Sequence, residues 1–299
     1  MMLGRAIARN VTAYLFMLPW LLGLLVFTLG PMLSSLYLSF TRFELLQPSE
    51  WIGLENFREI FFEDDRFRQS LKVTFFFVVV SVPLKLAFAL LVAVILNRSL
   101  KGIGLYRSVF YLPSLIGGSV AVSVMWRQIF GEAGVVNSFL KWFGIEGPIW
   151  ISHPDYAIYT LIALATWQFG SSMVIFLAGL KQIPEHLYEA SAIDGAGKFQ
   201  QFFRITLPML SPVMFFNLVM QMIGGFMVFT QGYIVTRGGP LDSTLFYSIY
   251  LYEKGFTYFQ MGYASALAWV LLVIIGFFTA LLFLSSKFWV YYEAGSEKT

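Results

Sequence analysis

Residues 189–212 read EASAIDGAGKFQQFFRITLPMLSP and set Glu189, Asp194, Lys198 and Arg204 between two long apolar runs. The GAGK at 195–198 invites comparison with a phosphate-cradling loop. That chemistry needs a glycine five positions before the Gly-Lys pair and a hydroxyl residue directly after it. Ala192 and Phe199 stand at those positions, and no apolar strand pattern precedes them. The stretch is not built for a nucleotide, so any ATP that drives this chain is hydrolysed on another one.

Other reactive groups are scarce. His153 and His186 are the only histidines, one near each end of an apolar run. His186 and Glu189 lie one helical turn apart, but two ligands without a third make a weak metal site. Neither H-E-x-x-H nor G-x-S-x-G occurs, and each would be needed for the chemistry it names. With no cysteine there are no disulfides, thiol nucleophiles or cysteine metal sites. Neither cofactor nor metal is expected. The net charge of +3 comes from scattered basic residues, which argues against a nucleic-acid partner.

The elements that carry these residues are read from composition. The 299 residues are 58% hydrophobic and only 12% charged, where a soluble domain carries about a quarter charged residues. Lipid is the implied solvent. Six apolar spans stand out, roughly 12–40, 71–96, 106–130, 158–180, 208–235 and 263–286. Each supplies the ~20 residues that cross a hydrocarbon core of ~30 Å. Pro19, Pro31, Pro83, Pro113, Gly224 and Gly225 fall inside them, as bundled membrane helices tolerate. KFWVYY at 287–292 and IYLY at 249–252 suit interfacial anchoring. The first span follows Arg5 and Arg9 but is too long for a signal peptide, so a retained helix is expected.

Orientation rests on the short loops. The basic residues divide almost evenly, and many of the outer ones fall in the loop 41–70, where Arg42, Arg58, Arg66 and Arg68 mix with acids. A loop folded into its own small structure is a poor topology signal. Loop 97–107 carries Arg98, Lys101 and Arg107 without an acid, and the tail 1–11 carries Arg5 and Arg9. Both favour an inside N-terminus, and an even number of spans then puts the tail 291–299 inside as well.

Under that topology 181–207 is cytoplasmic. Pro184 suits a first helical turn and Glu185 its positive end. Leu187, Ala190, Ser191 and Asp194 share one face, Gly195 and Gly197 break the helix, and a second short helix follows. Phe199, Phe202, Phe203 and Thr206 would form its less polar face. Two readings stay open: an interfacial helix packed on the chain's own spans, and a docking site for a partner.

The same residues carry a family resemblance. Glu189, Ala190, Ser191, Gly195, Ile205, Leu207 and Pro208 fit the pattern E-A-A, three residues, G, nine residues, I-x-L-P. That pattern resembles the EAA loop of permease subunits of ATP-binding-cassette importers, with Ser191 in place of the third Ala. WIGLENF at 51–57, YLP at 111–113, MWRQIF, GVVN at 134–137, TRGGP at 236–240 and IYLYEKGF at 249–256 resemble the carbohydrate-uptake branch, which takes di- and oligosaccharides and glycerol phosphates. The likeness extends over about residues 10–290, to the core of the larger maltose permease subunit.

The resemblance implies an all-α membrane protein with six transmembrane helices in the type I, MetI-like importer fold, its permease domain covering 12–290. It implies a coupling helix docked on one of two cytoplasmic ATPase subunits, with Glu189 as the anionic contact. Ala190 and Ser191 would allow close approach, Gly195 would supply the turn, and Asp194 would lie on the docking face. It further implies a second homologous permease, an extracytoplasmic sugar-binding protein and a place in a bacterial or archaeal cytoplasmic membrane. Within the bundle, Trp167 offers a face to a sugar ring. Gln168, Ser171, Asn217 and Gln221 offer hydrogen bonds to hydroxyls, and Gly225, like Gly224, offers close backbone approach. Polar residues of these types also serve as glue between membrane helices. Gln231 lies nearer the exterior end.

Lys85 is a lone cation inside the second span, where insertion costs about 2.5–3.5 kcal/mol. A structural role, by snorkelling or bonding a carbonyl, competes with a functional one. No span contains Asp or Glu. That weighs against the alternative of an ion-coupled transporter or channel, which generally needs an intramembrane carboxylate.

Overall fold

The computed structural model describes residues 14–44, 47–98 and 102–291. The expected tail 1–11, nearly all of the tail 291–299, and Lys101 lie outside the described residues. The principal helices are α1 (Tyr14–Ser39), α2 (Asp65–Leu96), α3 (Ile103–Ile116), α4 (Val120–Ile129), α5 (Pro154–Trp167), α6 (Gly170–Leu180), α7 (Glu185–Ile193), α8 (Leu207–Phe226), α9 (Thr230–Val235) and α10 (Met261–Trp289). The stretch from Lys198 to Thr206 is helical and runs directly into α8.

Two compact units share the chain. The first comprises residues 14–64 and 251–272. It holds α1, a two-residue hairpin pairing Thr41 with Trp51 and Arg42 with Glu50, and the start of α10. Buried Asn56 staples the hairpin by donating to the Ser39 and Thr41 carbonyls at 2.9 and 3.0 Å. Trp51 stacks on Phe40, and the Tyr263 hydroxyl donates to the Asp64 carboxylate. Much of the loop 41–64 is therefore folded. Among the described residues, the most apolar stretch of α1 has no buried position.

The second unit, residues 65–250 and 273–291, is built around α2. Val78, Val82, Ala89, Val92, Ala93 and Leu96 are buried along α2 at helical spacing. The alanines let α6 approach closely, and Phe169, Met173, Phe176, Leu177 and Leu180 pack into the resulting core with Leu210 of α8. Glycines carry the tightest contacts. A Cβ at Gly170 would meet the Phe110 carbonyl at 2.6 Å and Tyr111 Cα at 2.8 Å, and one at Gly179 would meet Leu210 at 2.7 Å. At Gly170 helix backbones touch, and at Gly179 side chains of α8 lie against the backbone, because nothing larger fits.

The helices α1, α2, the run Lys198–Val235 and α10 are each long and apolar enough to cross a membrane. Two further crossings are bent pairs: α3 turns into α4 by 98°, and α5 into α6 by 41°. The count is six if each pair is one span. The span expected over 106–130 breaks at 117–119, where Gly117 and Gly118 end one helix and the Ser119 side chain accepts from the Val122 N–H to start the next. The spans expected over 158–180 and 208–235 break at 168–169 and 227–229.

Candidate functional site

The three breaks are joined by one polar node. Ser114, near the end of α3, donates to the Gln168 carbonyl at 2.9 Å and accepts from the Ser171 N–H at 2.9 Å. The Gln168 side chain donates to the Gly117 carbonyl at 3.1 Å and accepts from Gln231 of α9 at 3.4 Å. A Cβ on Gly117 would lie 2.5 Å from Gln168 Cδ, so only glycine leaves room for this crossing. Beside the node, Trp167 and Trp126 face each other with ring centroids 5.8 Å apart, and the Trp126 indole donates to the Thr160 carbonyl at 2.9 Å. Trp167, Gln168 and Ser171 are half-buried, so each keeps surface for a further contact.

Interrupted backbone at membrane depth survives only where protein buries it or where it lines a polar cavity. Here the Gln168 side chain satisfies the interrupted backbone at Gly117 and, half-buried next to Trp167, suits the second. Donor and acceptor groups next to flat apolar faces are the chemistry that a polyhydroxylated ring requires.

The remaining residues expected on the pathway divide. Gln221 is half-buried on α8. Asn217, one turn away, is fully buried and, among the described residues, neither side-chain amide atom has a hydrogen-bond partner. Gly225 packs on α2, where a Cβ would lie 3.0 Å from Val78, whereas Gly224 faces open space. The missing side chain of Gly225 serves helix contact, while Gly224 leaves backbone open. Ser114, Gly117 and Trp126 were not anticipated. The signal for Gly117 was a Gly-Gly-Ser run inside an apolar span, which is a helix stop followed by an N-cap.

The second candidate is the elbow around Gly195. Pro184 leads into α7 with extended backbone, and Gly195 closes it at φ 81°, a conformation that suits glycine. Gln201 returns to donate to Ser191 Oγ at 2.9 Å and to the Tyr188 carbonyl at 3.2 Å, while the Tyr188 and Thr206 hydroxyls bond at 2.9 Å. The two arms are stapled into one rigid body. Leu187, Tyr188 and Ile205 pack on the core.

The faces expected here need correction. Leu187 packs inward and Ser191 is engaged by Gln201, while Ala190 and Asp194 are exposed. Thr206 is buried, yet Phe199 and Phe203 point outward, and Ile193 and Phe199 are 87% and 79% exposed. Glu189 is exposed too and, among the described residues, neither it nor Asp194, Lys198 or Arg204 forms an ion pair. A rigid elbow thus presents free acids beside bare aromatic surface.

Broken apolar helices around a polar node, with an exposed elbow at one end, define a polytopic membrane transport component. Residues 63–292 match the family described as binding-protein-dependent transport system inner membrane component, and the chain belongs to that family. It is a translocation subunit rather than an enzyme, and nothing in its likeness to other proteins favours a secondary transporter or channel. The chain is 56% identical over 291 residues to a probable ABC transporter permease, YesP of Bacillus subtilis strain 168, covering 96% of this chain and 94% of that one. It is 34% identical over 279 residues to the arabinooligosaccharides transport system permease AraP of the same organism, covering 90% and 86%. The lactose transport system permease LacF of Rhizobium radiobacter is 34% identical over 287 residues, covering 93% and 95%. The fold is similar to that of a chain in the crystal structure of a bacterial alginate ABC transporter in complex with alginate pentasaccharide-bound periplasmic protein. The TM-score is 0.82, with 23% identity and 95% and 96% coverage.

Proposed function

We propose that this chain is one of two permease subunits of an ATP-driven sugar importer in a bacterial or archaeal cytoplasmic membrane. Each bent pair counts as one of six spans, both termini are cytoplasmic, and the node around Gln168 handles sugar hydroxyls as the pathway opens. The observation that carries this reading is the bonding of one half-buried glutamine, at one helix break, to the carbonyl of a second break and to Gln231 just after a third, next to the paired rings of Trp167 and Trp126. Sugar is the substrate class because the node offers neutral hydrogen-bonding groups and ring faces without a fixed charge. The names of AraP and LacF support the same class.

The elbow at 181–207 is the coupling element, docking through Glu189, Ala190, Ser191 and Asp194 on one of two cytoplasmic ATPase subunits, with Gly195 setting the turn. A second homologous permease completes the pathway, and an extracytoplasmic binding protein delivers the sugar. The test is reconstitution of the full complex in proteoliposomes with a panel of di- and oligosaccharides. The expected result is saturable, binding-protein-stimulated uptake that Gln168→Leu weakens for every accepted sugar. Uptake indifferent to Gln168, Trp167 and Gln221 alike would remove the node from the pathway.

A further inference from the structure

The exterior end of α2 holds an ion pair that the transport reading leaves unused. Arg66 donates from Nε to one Asp242 oxygen at 2.9 Å and from an Nη to the other at 3.0 Å. This fork-on-carboxylate geometry is the strong, directional form of the interaction. The guanidinium also lies over the Tyr250 ring, 5.4 Å from its centroid, and Gln69 donates to the Asp242 carbonyl at 3.3 Å. A helix end and a loop 176 positions apart are thus held at several points.

The loop that is gripped departs from ordinary backbone. Arg237, Leu241 and Asp242 take φ of 52°, 51° and 56°. Side-chain-bearing residues rarely adopt this conformation, and several together persist only where the surroundings over-determine them. The loop is bonded back to α9. The Thr244 hydroxyl lies 2.7 Å from both the Thr236 hydroxyl and the Gly239 carbonyl, and Thr236 donates to the Gly232 carbonyl at 2.9 Å. Gly232 is the neighbour of Gln231.

We propose that Arg66 and Asp242 are a positioning pair: they fix loop 236–243 and, through it, hold Gln231 against Gln168. The inference rests on the reading of the Gln168 node as the sugar-handling site. Arg66 holds Asp242, whose carbonyl accepts from the Leu245 N–H at 3.2 Å, and the adjoining Thr244 hydroxyl reaches Thr236 at the end of α9. The Gln231–Gln168 bond, at 3.4 Å, is the longest at the node and therefore the one that a small shift of α9 breaks first.

The test uses the complete complex in proteoliposomes and exploits the absence of cysteine. Gln168→Cys and Gln231→Cys are introduced together and joined with a short bis-thiosulfonate reagent. Asp242→Asn is then added, because Asn tolerates a positive φ while losing the charge. Cross-linking is expected to fall about fivefold, with Arg66→Gln matching it and Arg66→Lys intermediate, since Lys keeps the charge but not the fork. Unchanged cross-linking in Asp242→Asn overturns the proposal, as does a fall that Arg66→Gln does not reproduce.

In the chain with native glutamines, Asp242→Asn is expected to raise the half-saturating sugar concentration about fivefold, with no further rise on adding Gln231→Ala. Additive effects overturn the proposal. If cross-linking falls while neither Asp242→Asn nor Gln231→Ala moves the half-saturating concentration, the positioning role stands and the sugar reading of the node is what fails.

Discussion

Gln168 satisfies a carbonyl at one helix break while standing at another, and it does so because Gly117 has no side chain to exclude it. Gln168→Leu keeps similar bulk but leaves the Gly117 carbonyl without that donor. Stability is expected to drop by about 1–3 kcal/mol, read as a lower unfolding midpoint in detergent. Asn217 presents the opposite case. Its amide is fully buried and makes no hydrogen bond among the described residues, so the cost of burial is already present in the wild type. Asn217→Leu is expected to raise the unfolding midpoint, since an unpaired buried amide costs about 1–3 kcal/mol. A lower midpoint would mean that the amide has found a partner, as a pathway residue or as glue between helices. The residue types at these positions were legible in the sequence as polar groups inside apolar runs. Which were paired was not, because pairing depends on where helices break and cross.

At the scale of elements, the long apolar helices and the glycine elbow were legible. The apolar runs extend for the length of a bilayer crossing, and Gly195 follows a helical face directly. The breaks at 117–119, 168–169 and 227–229 were not, because a mean over ~20 residues passes over two or three that leave the helix. Only a Gly-Gly-Ser run signalled the sharpest one. Gly195 gives the clearest prediction of this scale. A Cβ there meets nothing within 4 Å, so crowding plays no part and only φ 81° matters. Gly195→Asn should retain sugar uptake, whereas Gly195→Val should lose the turn at a cost of roughly 1–2 kcal/mol and uncouple uptake. The check is uptake per inserted permease for the two variants side by side. Equal activity would show that the turn does not set the coupling geometry. Glu189→Lys tests the adjoining face: it should abolish uptake while insertion stays normal, because only a contact with another protein depends on that exposed charge.

At the scale of the whole molecule, the exposed apolar surface divides by solvent. The apolar face of α1 meets lipid or another membrane chain without penalty, as composition alone foretold. Ile193, Phe199 and Phe203 are different. They protrude from a polar elbow beside Glu189, Asp194, Lys198 and Arg204, a setting in which bare apolar surface is costly in water and calls for cover, by the membrane surface or by a partner. The two readings that the sequence left open therefore predict different things. An elbow packed on its own membrane surface would keep Phe199 shielded in the isolated permease. A docking elbow leaves Phe199 reactive until the ATPase subunits bind. Because the chain contains no cysteine, Phe199→Cys and Ala190→Cys can each be labelled with a maleimide in membranes that open the cytoplasmic face. Both should label rapidly in the permease pair alone and be protected at least about tenfold in the assembled complex. Leu241→Cys, on the exposed loop of the opposite end, should label equally with and without the ATPase. Protection of Phe199→Cys before the ATPase is added would favour the interfacial helix. Rapid labelling in the full complex would move the coupling contact away from this elbow.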